Sequence, residues 1–157
     1  MKAMRKILYK LDDQRGASAV EFAIILPLLV VFVFGIIEFS IMFYDKAVIT
    51  NASREGARAG IVFGDPRPDA AEMQNVVTNY SNDRLITFGT PVLQTVTKSS
   101  STVDSTRCVD SGDELTVTVS YAYNYLIVPD ILGAFFVDEP FTDGATSIVA
   151  RTKMRCE

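Results

Sequence analysis

The sequence of 157 residues contains no histidine, no tryptophan and only two cysteines. Without histidine the chain cannot build a Ser-His-Asp or Cys-His nucleophile, an imidazole acid–base pair or a histidine-ligated zinc site. Two thiolates alone do not complete a tetrahedral metal site. We therefore expect no enzyme activity, no metal centre and no cofactor.

Positive charge is also scarce, with 15 Lys+Arg against 19 Asp+Glu, a net charge of −4 and a pI near 4.9. A nucleic-acid-binding protein needs a basic face to neutralise phosphates, so we expect no nucleic-acid partner. The charge is distributed unevenly, because residues 1–16 carry five basic and two acidic side chains and the remaining 141 carry ten and seventeen. A short basic head before an apolar run predicts that the head stays cytoplasmic and the rest crosses the membrane.

One long hydrophobic run follows this basic head. Residues 22–37 read FAIILPLLVVFVFGII without a charge, and residues 24–44 would form a helix of about 31 Å, the thickness of the hydrocarbon core. The run is too long for a secretory signal peptide. It predicts a membrane-spanning helix, assigned to residues 17–44, in which Pro27 removes one backbone hydrogen bond and favours a local kink or loosening.

An acidic residue, Glu21, lies at the mouth of this apolar run. An ionised carboxylate that enters hydrocarbon loses several kcal/mol unless it finds a partner. Cleavage after Gly16 would create a new α-ammonium group on Ala17 and make Glu21 the fifth residue of the mature chain. In a stack of helices, the Glu21 carboxylate of one subunit would pair with the ammonium group of the next. The alternative is that Glu21 extends to the membrane–water interface.

The spacing of Gly16 and Glu21-Phe22, after a basic leader and before an apolar helix, resembles the processing site of type IV prepilins. Residues 20–60 resemble the TadE-like family, the minor pseudopilins of tight-adherence (Flp) pilus systems. The resemblance implies cleavage between Gly16 and Ala17 by a prepilin peptidase, and a role in assembly for Glu21 and Phe22.

The resemblance also implies partners and a location. The partners are the peptidase, other pilins or pseudopilins of the same system, and the inner membrane. The N-terminus would be cytoplasmic and the C-terminal part periplasmic, or extracellular once assembled. The alternative is a periplasmic binding or adaptor domain with a single-pass inner-membrane anchor, which never enters a filament.

The helical pattern continues past the span as a stalk, residues 45–63, and the resemblance assigns no role there to Arg58. Small residues recur every four positions at Ala52, Gly56 and Gly60, which lets another backbone approach closely. We expect this stripe to pack on the protein's own head domain, and packing between neighbouring subunits is the alternative. Glu38 either faces a partner within the hydrocarbon or is an interface charge at the end of the span.

Residues 64–157 predict a small α+β head. Alternating apolar and polar residues indicate strands, and a stripe at i, i+3, i+4 and i+7 indicates a helix. The expected elements are a helix from Pro68 to about Asp83 and strands over Thr90–Lys98, Leu115–Tyr125 and Ala145–Met154. The fold class is thus α+β: a long N-terminal transmembrane and stalk helix, a second short helix and a small antiparallel sheet of about three strands. The apolar segment Leu126–Phe136 is interpreted as core filling, with an exposed contact patch as the alternative.

The two cysteines, Cys108 and Cys156, both lie in the part predicted to be translocated. That compartment is oxidising, so a disulfide is expected, and two free thiols are the alternative. The bond would close a loop across 48 positions, and the chain-entropy estimate for such a loop is a stabilisation of about 4 kcal/mol. Acidic residues near Cys108 are interpreted as turn formers rather than as calcium ligands.

Overall fold

The protein consists of two helices and three antiparallel strands. The computed structural model describes residues 2–88, 92–126, 133 and 145–157. The elements are α1 (Lys2–Ile61), α2 (Ala70–Asn82), β1 (Val92–Ser99), β2 (Glu114–Asn124) and β3 (Ala145–Arg155). The predicted α+β class, with a long first helix, a short second helix and a three-stranded antiparallel sheet, is confirmed.

The chain divides into two compact units, Met1–Ile37 and Glu38–Glu157. In the first unit the described residues are helical, and the helix continues through Pro27. Its large apolar side chains are exposed, including those of Val20, Phe22, Ile24, Ile25, Leu26, Leu28, Leu29, Phe32, Val33, Ile36 and Ile37. A helix that is apolar all round and exposed suits a lipid environment. The helix is long and apolar enough to cross a membrane, which fits a single-pass anchor.

Helix α2 begins at Ala70 because Asp69 caps it. The Asp69 Oδ1 atom accepts a hydrogen bond from the Glu72 amide at 2.8 Å, and the Asp69 amide donates to the Glu72 carboxylate at 3.2 Å. This reciprocal pair is a capping box, which satisfies two backbone donors that a helix start leaves free. The predicted start at Pro68 is therefore two residues early.

The sheet has the order β1-β2-β3, and both strand pairs are antiparallel. Strand β2 alternates strictly between buried and partly exposed residues from Leu115 to Asn124. Its buried side chains are Leu115, Val117, Val119, Tyr121 and Tyr123. The alternation assigns one face of the sheet to the core and the other to solvent.

The part of α1 from Glu38 onward belongs to the same unit as the sheet, and its glycines allow close packing there. A Cβ atom at Gly56 would lie 2.6 Å from Val77 Cγ2, and one at Gly60 would overlap Met73 Sδ. Carbon atoms pack at about 3.5–4.0 Å, so neither position has room for a larger side chain. The stripe of small residues therefore lies against α2 and β2 of its own head.

A disulfide joins Cys108 to Cys156, with 5.9 Å between the two Cα atoms. It ties the loop between β1 and β2 to the end of β3. Backbone hydrogen bonds support the same junction, from the Cys156 amide to the Asp113 carbonyl and from the Gly112 amide to the Cys156 carbonyl. Gly112 has a φ of +98°, a left-handed conformation that favours glycine. The two cysteines are thus built into an ordered end of the sheet.

The acidic loop beside this disulfide is a set of turns. The Asp104 carboxylate accepts hydrogen bonds from the amide and hydroxyl of Thr106 and forms an ion pair with Arg107. The hydrogen bonds from Thr106 lower the pKa of Asp104 below its ordinary value. The described residues contain no group of three or more potential metal-ligating side chains. Of the apolar segment Leu126–Phe136, all but residues 126 and 133 lies outside the described residues, so its prediction stays open.

Candidate functional site

The N-terminal site residues lie together on α1. Gly16, Ala17, Glu21 and Phe22 are all helical and exposed. Ala17 and Glu21 are four positions apart, so they lie one above the other on a single helix face. Within the described part of the first unit, this face is accessible to lipid or to another protein.

A second feature begins at Glu38, where the second compact unit starts. Glu38 is 5% exposed, and its Oε1 atom accepts a hydrogen bond from the Leu126 amide at 2.6 Å. The Tyr123 hydroxyl donates to the same oxygen at 3.3 Å. The Glu38 carboxylate therefore has hydrogen-bond partners, and these partners come from its own chain.

The pKa of Tyr123 is raised in this environment. Burial raises the pKa of the Tyr123 hydroxyl above its ordinary value, and the negative charges of Glu38 and Asp45 raise it further. The hydroxyl therefore stays protonated and acts as a donor throughout the physiological range. The ring of Tyr123 also packs edge-on against Tyr125, with 5.6 Å between the ring centroids.

A third feature is the carboxylate of Asp45, which is fully buried. Its Oδ1 atom accepts a hydrogen bond from the Ile86 amide at 2.9 Å, whereas Oδ2 has no hydrogen-bond partner among the described residues. Burial raises the pKa of Asp45, although the hydrogen bond from Ile86 opposes the shift. Burial and the nearby Asp45 charge also raise the pKa of Tyr121 to about 12. Asp45 thus joins α1 to the chain segment after α2, at a cost in desolvation.

The buried residues of α1 that face the head lie on one face of the helix. Successive members are separated by seven, four, three, four and four positions, which is the repeat of a single helix face. The members are Glu38, Asp45, Ile49, Ala52, Gly56 and Gly60. Sequence reasoning identified the small residues but missed Asp45 and Tyr123. The repeat of small residues, extended back by seven positions from Ala52, leads to Asp45. This spacing could have predicted that Asp45 lies on the buried face of the helix.

Polar contacts also join this part of α1 to β3 and to Glu157, which lies beyond that strand. The Lys46 amine donates a hydrogen bond to the Val149 carbonyl. The hydroxyls of Ser53 and Thr152 lie 2.6 Å apart, and Ser53 is fully buried. The Glu157 amide donates to the Ile61 carbonyl at 3.2 Å. From Glu38 to Ile61 the helix is therefore an integral element of the head rather than a free stalk.

Comparison with known proteins identifies one family. Residues 16–58 match the family model of TadE-like proteins, which confirms the resemblance over that segment. The matched segment contains Gly16, Glu21 and both buried carboxylates of α1. No curated protein matches the chain, and no solved structure does either.

Proposed function

We propose that this chain, whose residues 16–58 match the TadE-like family, is a minor pseudopilin, a structural subunit for the biogenesis of a tight-adherence (Flp) pilus. The observation that carries the proposal is the exposed helical segment in which Gly16 precedes Glu21-Phe22 by five positions at the start of the apolar helix. The match begins at this glycine.

Processing is the first step of the proposed function. A prepilin peptidase would hydrolyse the peptide bond between Gly16 and Ala17, leaving a carboxylate on Gly16 and an ammonium group on Ala17. Proteolysis needs an extended segment, whereas this bond lies within α1. Glycine in a helix is about 1 kcal/mol less favourable than alanine, so Gly16 eases local unwinding at the scissile bond.

Cleavage also changes the charge at the start of the helix. The leader carries five basic and two acidic side chains, which hold the N-terminus on the cytoplasmic side. After cleavage, residues 17–21 carry only the new ammonium group and the Glu21 carboxylate. The segment is then neutral overall, which lowers the cost of moving it out of the membrane interface.

Assembly would use the same two charges. Within a filament, the Glu21 carboxylate of one subunit pairs with the Ala17 ammonium group of the next. The low dielectric of a packed helix bundle strengthens this attraction, and a subunit in the wrong register leaves a charge unpaired. Phe22 and the other exposed apolar residues of the first unit supply the surrounding contact surface.

The second unit would serve as the head, on the periplasmic side before assembly and outside the cell afterwards. The basic leader supports this orientation. The family is structural rather than enzymatic, and buried apolar residues of the head form a packed hydrophobic core. The head would therefore act through its shape and its surface.

The main alternative is a single-pass periplasmic adaptor that never enters a filament. It would use the same helix and head but keep its leader. The intact mass of the full-length protein, co-expressed with a prepilin peptidase and purified from membranes, distinguishes the two. A chain that begins at Ala17 supports the pseudopilin, and a chain that still begins at Met1 supports the adaptor. A Gly16→Val variant serves as the uncleaved control, because its β-branched side chain replaces the glycine at the scissile bond.

A further inference from the structure

The face of the sheet that points away from α1 carries an ordered set of side chains. Strand register aligns Lys98 of β1, Thr116 of β2 and Lys153 of β3 in one row across the sheet. The next row on the same face aligns Val96, Thr118 and Arg151. We call this surface the outer sheet face. Its members are Gln94, Val96, Lys98, Glu114, Thr116, Thr118, Ser120, Val149, Arg151, Lys153 and Arg155.

The outer sheet face is cationic on a protein that is acidic as a whole. It carries the side chains of Lys98, Arg151, Lys153 and Arg155 against one carboxylate, that of Glu114. All four cations are exposed. Lys153 forms an ion pair with Glu114 at 2.7 Å, and no ion pair involves the other three within the described part of the chain. The charge of this face is therefore opposite to the net charge of −4 on the chain.

The centre of this face is apolar and hydroxylic. Val96 is 51% exposed and Val149 is 45% exposed, and they flank the partly exposed hydroxyls of Thr118 and Ser120. An apolar centre with a charged rim is the usual anatomy of a protein–protein interface. Among the described residues this face presents no aromatic ring, whereas single-stranded nucleic acids are bound by stacking on such rings. The composition thus favours a protein partner.

The spacing of the cations indicates the form of that partner. Arg151, Lys153 and Arg155 alternate along β3, so their Cα atoms repeat at about 6.8 Å. Same-side residues of any extended polypeptide repeat at the same distance. Lys98 adds a cation two strands away, about 9.6 Å across the sheet.

We propose that the outer sheet face binds an extended acidic segment of a partner protein. Carboxylates of the segment pair with the cations of β3 and Lys98, and the threonine hydroxyls donate hydrogen bonds to the remaining carboxylate oxygens. Val96 and Val149 contact the aliphatic parts of the segment. Glu114 competes for Lys153, because it is already paired with that amine. This proposal goes beyond the pseudopilin assignment and does not depend on leader cleavage.

The test uses the full-length protein in non-ionic detergent and labelled poly-L-glutamate, which is extended at neutral pH because its charges repel. The face variant combines Lys98→Glu with Arg151→Glu. The matched control combines Arg54→Glu with Arg58→Glu, two exposed residues of α1, and changes the net charge by the same amount. The basic leader is present in every variant, so it cannot account for a difference between them.

We expect the wild-type protein to bind the polymer at about 50 mM salt and to release it at about 500 mM, because salt screens exposed charges. The face variant should bind at least about tenfold more weakly, and the control should stay within about twofold of wild type. Glu114→Gln should strengthen binding, since it releases Lys153. Far-UV circular dichroism checks the fold of each variant. If the face variant does not fold, the single variants Lys98→Gln and Arg151→Gln give the same comparison with smaller effects.

Three outcomes would overturn the proposal. The first is a wild-type protein that does not bind poly-L-glutamate, and the second is a control variant that loses as much affinity as the face variant. The third is equal or tighter binding of alginate or single-stranded DNA with the same dependence on the face, which would assign the surface to another class of polyanion. None of these results bears on the mass of the processed chain, so they leave the pseudopilin proposal standing.

Discussion

The carboxylate of Glu38 accepts a hydrogen bond from the backbone amide of Leu126 at 2.6 Å, although the two residues are 88 positions apart in the chain. Leu126 lies two residues after the end of β2, so this bond holds the chain at the end of the central strand against α1. The Tyr123 hydroxyl shares the same carboxylate oxygen at 3.3 Å. One side chain of the helix thus contacts both Tyr123, near the end of β2, and Leu126, where the chain has left the sheet.

Removal of the Glu38 carboxylate should destabilise the head. Glu38→Ala removes the acceptor of the partly buried Leu126 amide and leaves the Tyr123 hydroxyl only the backbone carbonyl of residue 38, at 3.4 Å. An unpaired buried polar group costs about 1–3 kcal/mol, so we expect a loss of that order. Glu38→Gln keeps an acceptor oxygen and should lose less. Limited proteolysis of the full-length protein in detergent measures the effect. Glu55→Ala, at an exposed position of the same helix, is the control, and equal resistance of Glu38→Ala and wild type would contradict the role assigned to Glu38.

Asp45 should make the stability of the head depend on pH. Its pKa is raised by burial, so the folded state binds a proton more readily than the unfolded state. The contribution of Asp45 to stability is then greatest at pH values below its unfolded pKa near 3.8, and it is lost as the pH rises through its folded pKa. Asp45→Asn keeps an oxygen for the Ile86 amide and removes the charge, so it should raise the melting temperature at pH 7.

The advantage of Asp45→Asn should shrink as the pH falls towards 4, because the wild-type carboxyl becomes protonated in the folded state. Thermal unfolding of the full-length protein at both pH values measures this difference. Asp83→Asn, at an exposed carboxylate after α2, is the control for general charge effects. A melting-temperature difference that does not change with pH would refute the assignment to Asp45.

Gly60 should not tolerate a larger side chain. A Cβ atom at this position would lie 2.6 Å from Leu115 Cδ2, and overpacking of this kind costs about 1–3 kcal/mol. Gly60→Ala should therefore lower the melting temperature of the head. Gly35→Ala is the matched control, because a Cβ atom there meets no described atom within 4 Å. Equal stability of the two variants would mean that the small residues serve a contact outside the head.

The disulfide should hold the loop between β1 and β2 on the end of β3. Loss of a native disulfide from a small domain costs about 2–5 kcal/mol. Cys108→Ser and Cys156→Ser should each make the head sensitive to protease under non-reducing conditions. The double variant should be no more sensitive than either single one, because all three lack the same bond. Unchanged resistance of the single variants would argue against the pairing.

Glu21→Gln should separate processing from assembly. The substitution keeps the size of the side chain and removes the charge that is proposed to pair with the Ala17 ammonium group. Membrane insertion and leader removal should persist, whereas incorporation into filaments should be impaired. Intact mass gives the first result, and the amount of the subunit in sheared filament fractions gives the second. Assembly at the wild-type level would rule out the ammonium-pairing mechanism.

Local patterns were sufficient to predict most of the elements. The uncharged run of residues 22–37 predicts a membrane-capable helix, and the two-residue alternation of β2 predicts a half-buried strand, since each depends only on neighbours in the sequence. The predicted start of α2 at Pro68 is two residues early. The apolar pattern does not define the first residue of the helix, whereas the capping box at Asp69 makes Ala70 the first helical residue.

The sequence by itself determined the apolar helix, the strand periodicity and the segment that matches the TadE-like family. Only the tertiary structure decided that the carboxylates of Glu38 and Asp45 are buried, and that Lys98 and Lys153 share a row on the outer sheet face. The physical reason is the range of the interactions. Helix and strand periodicity arise from residues a few positions apart, whereas the partners of Glu38 and Asp45 are 88 and 41 positions away and meet them only when the sheet packs on the helix.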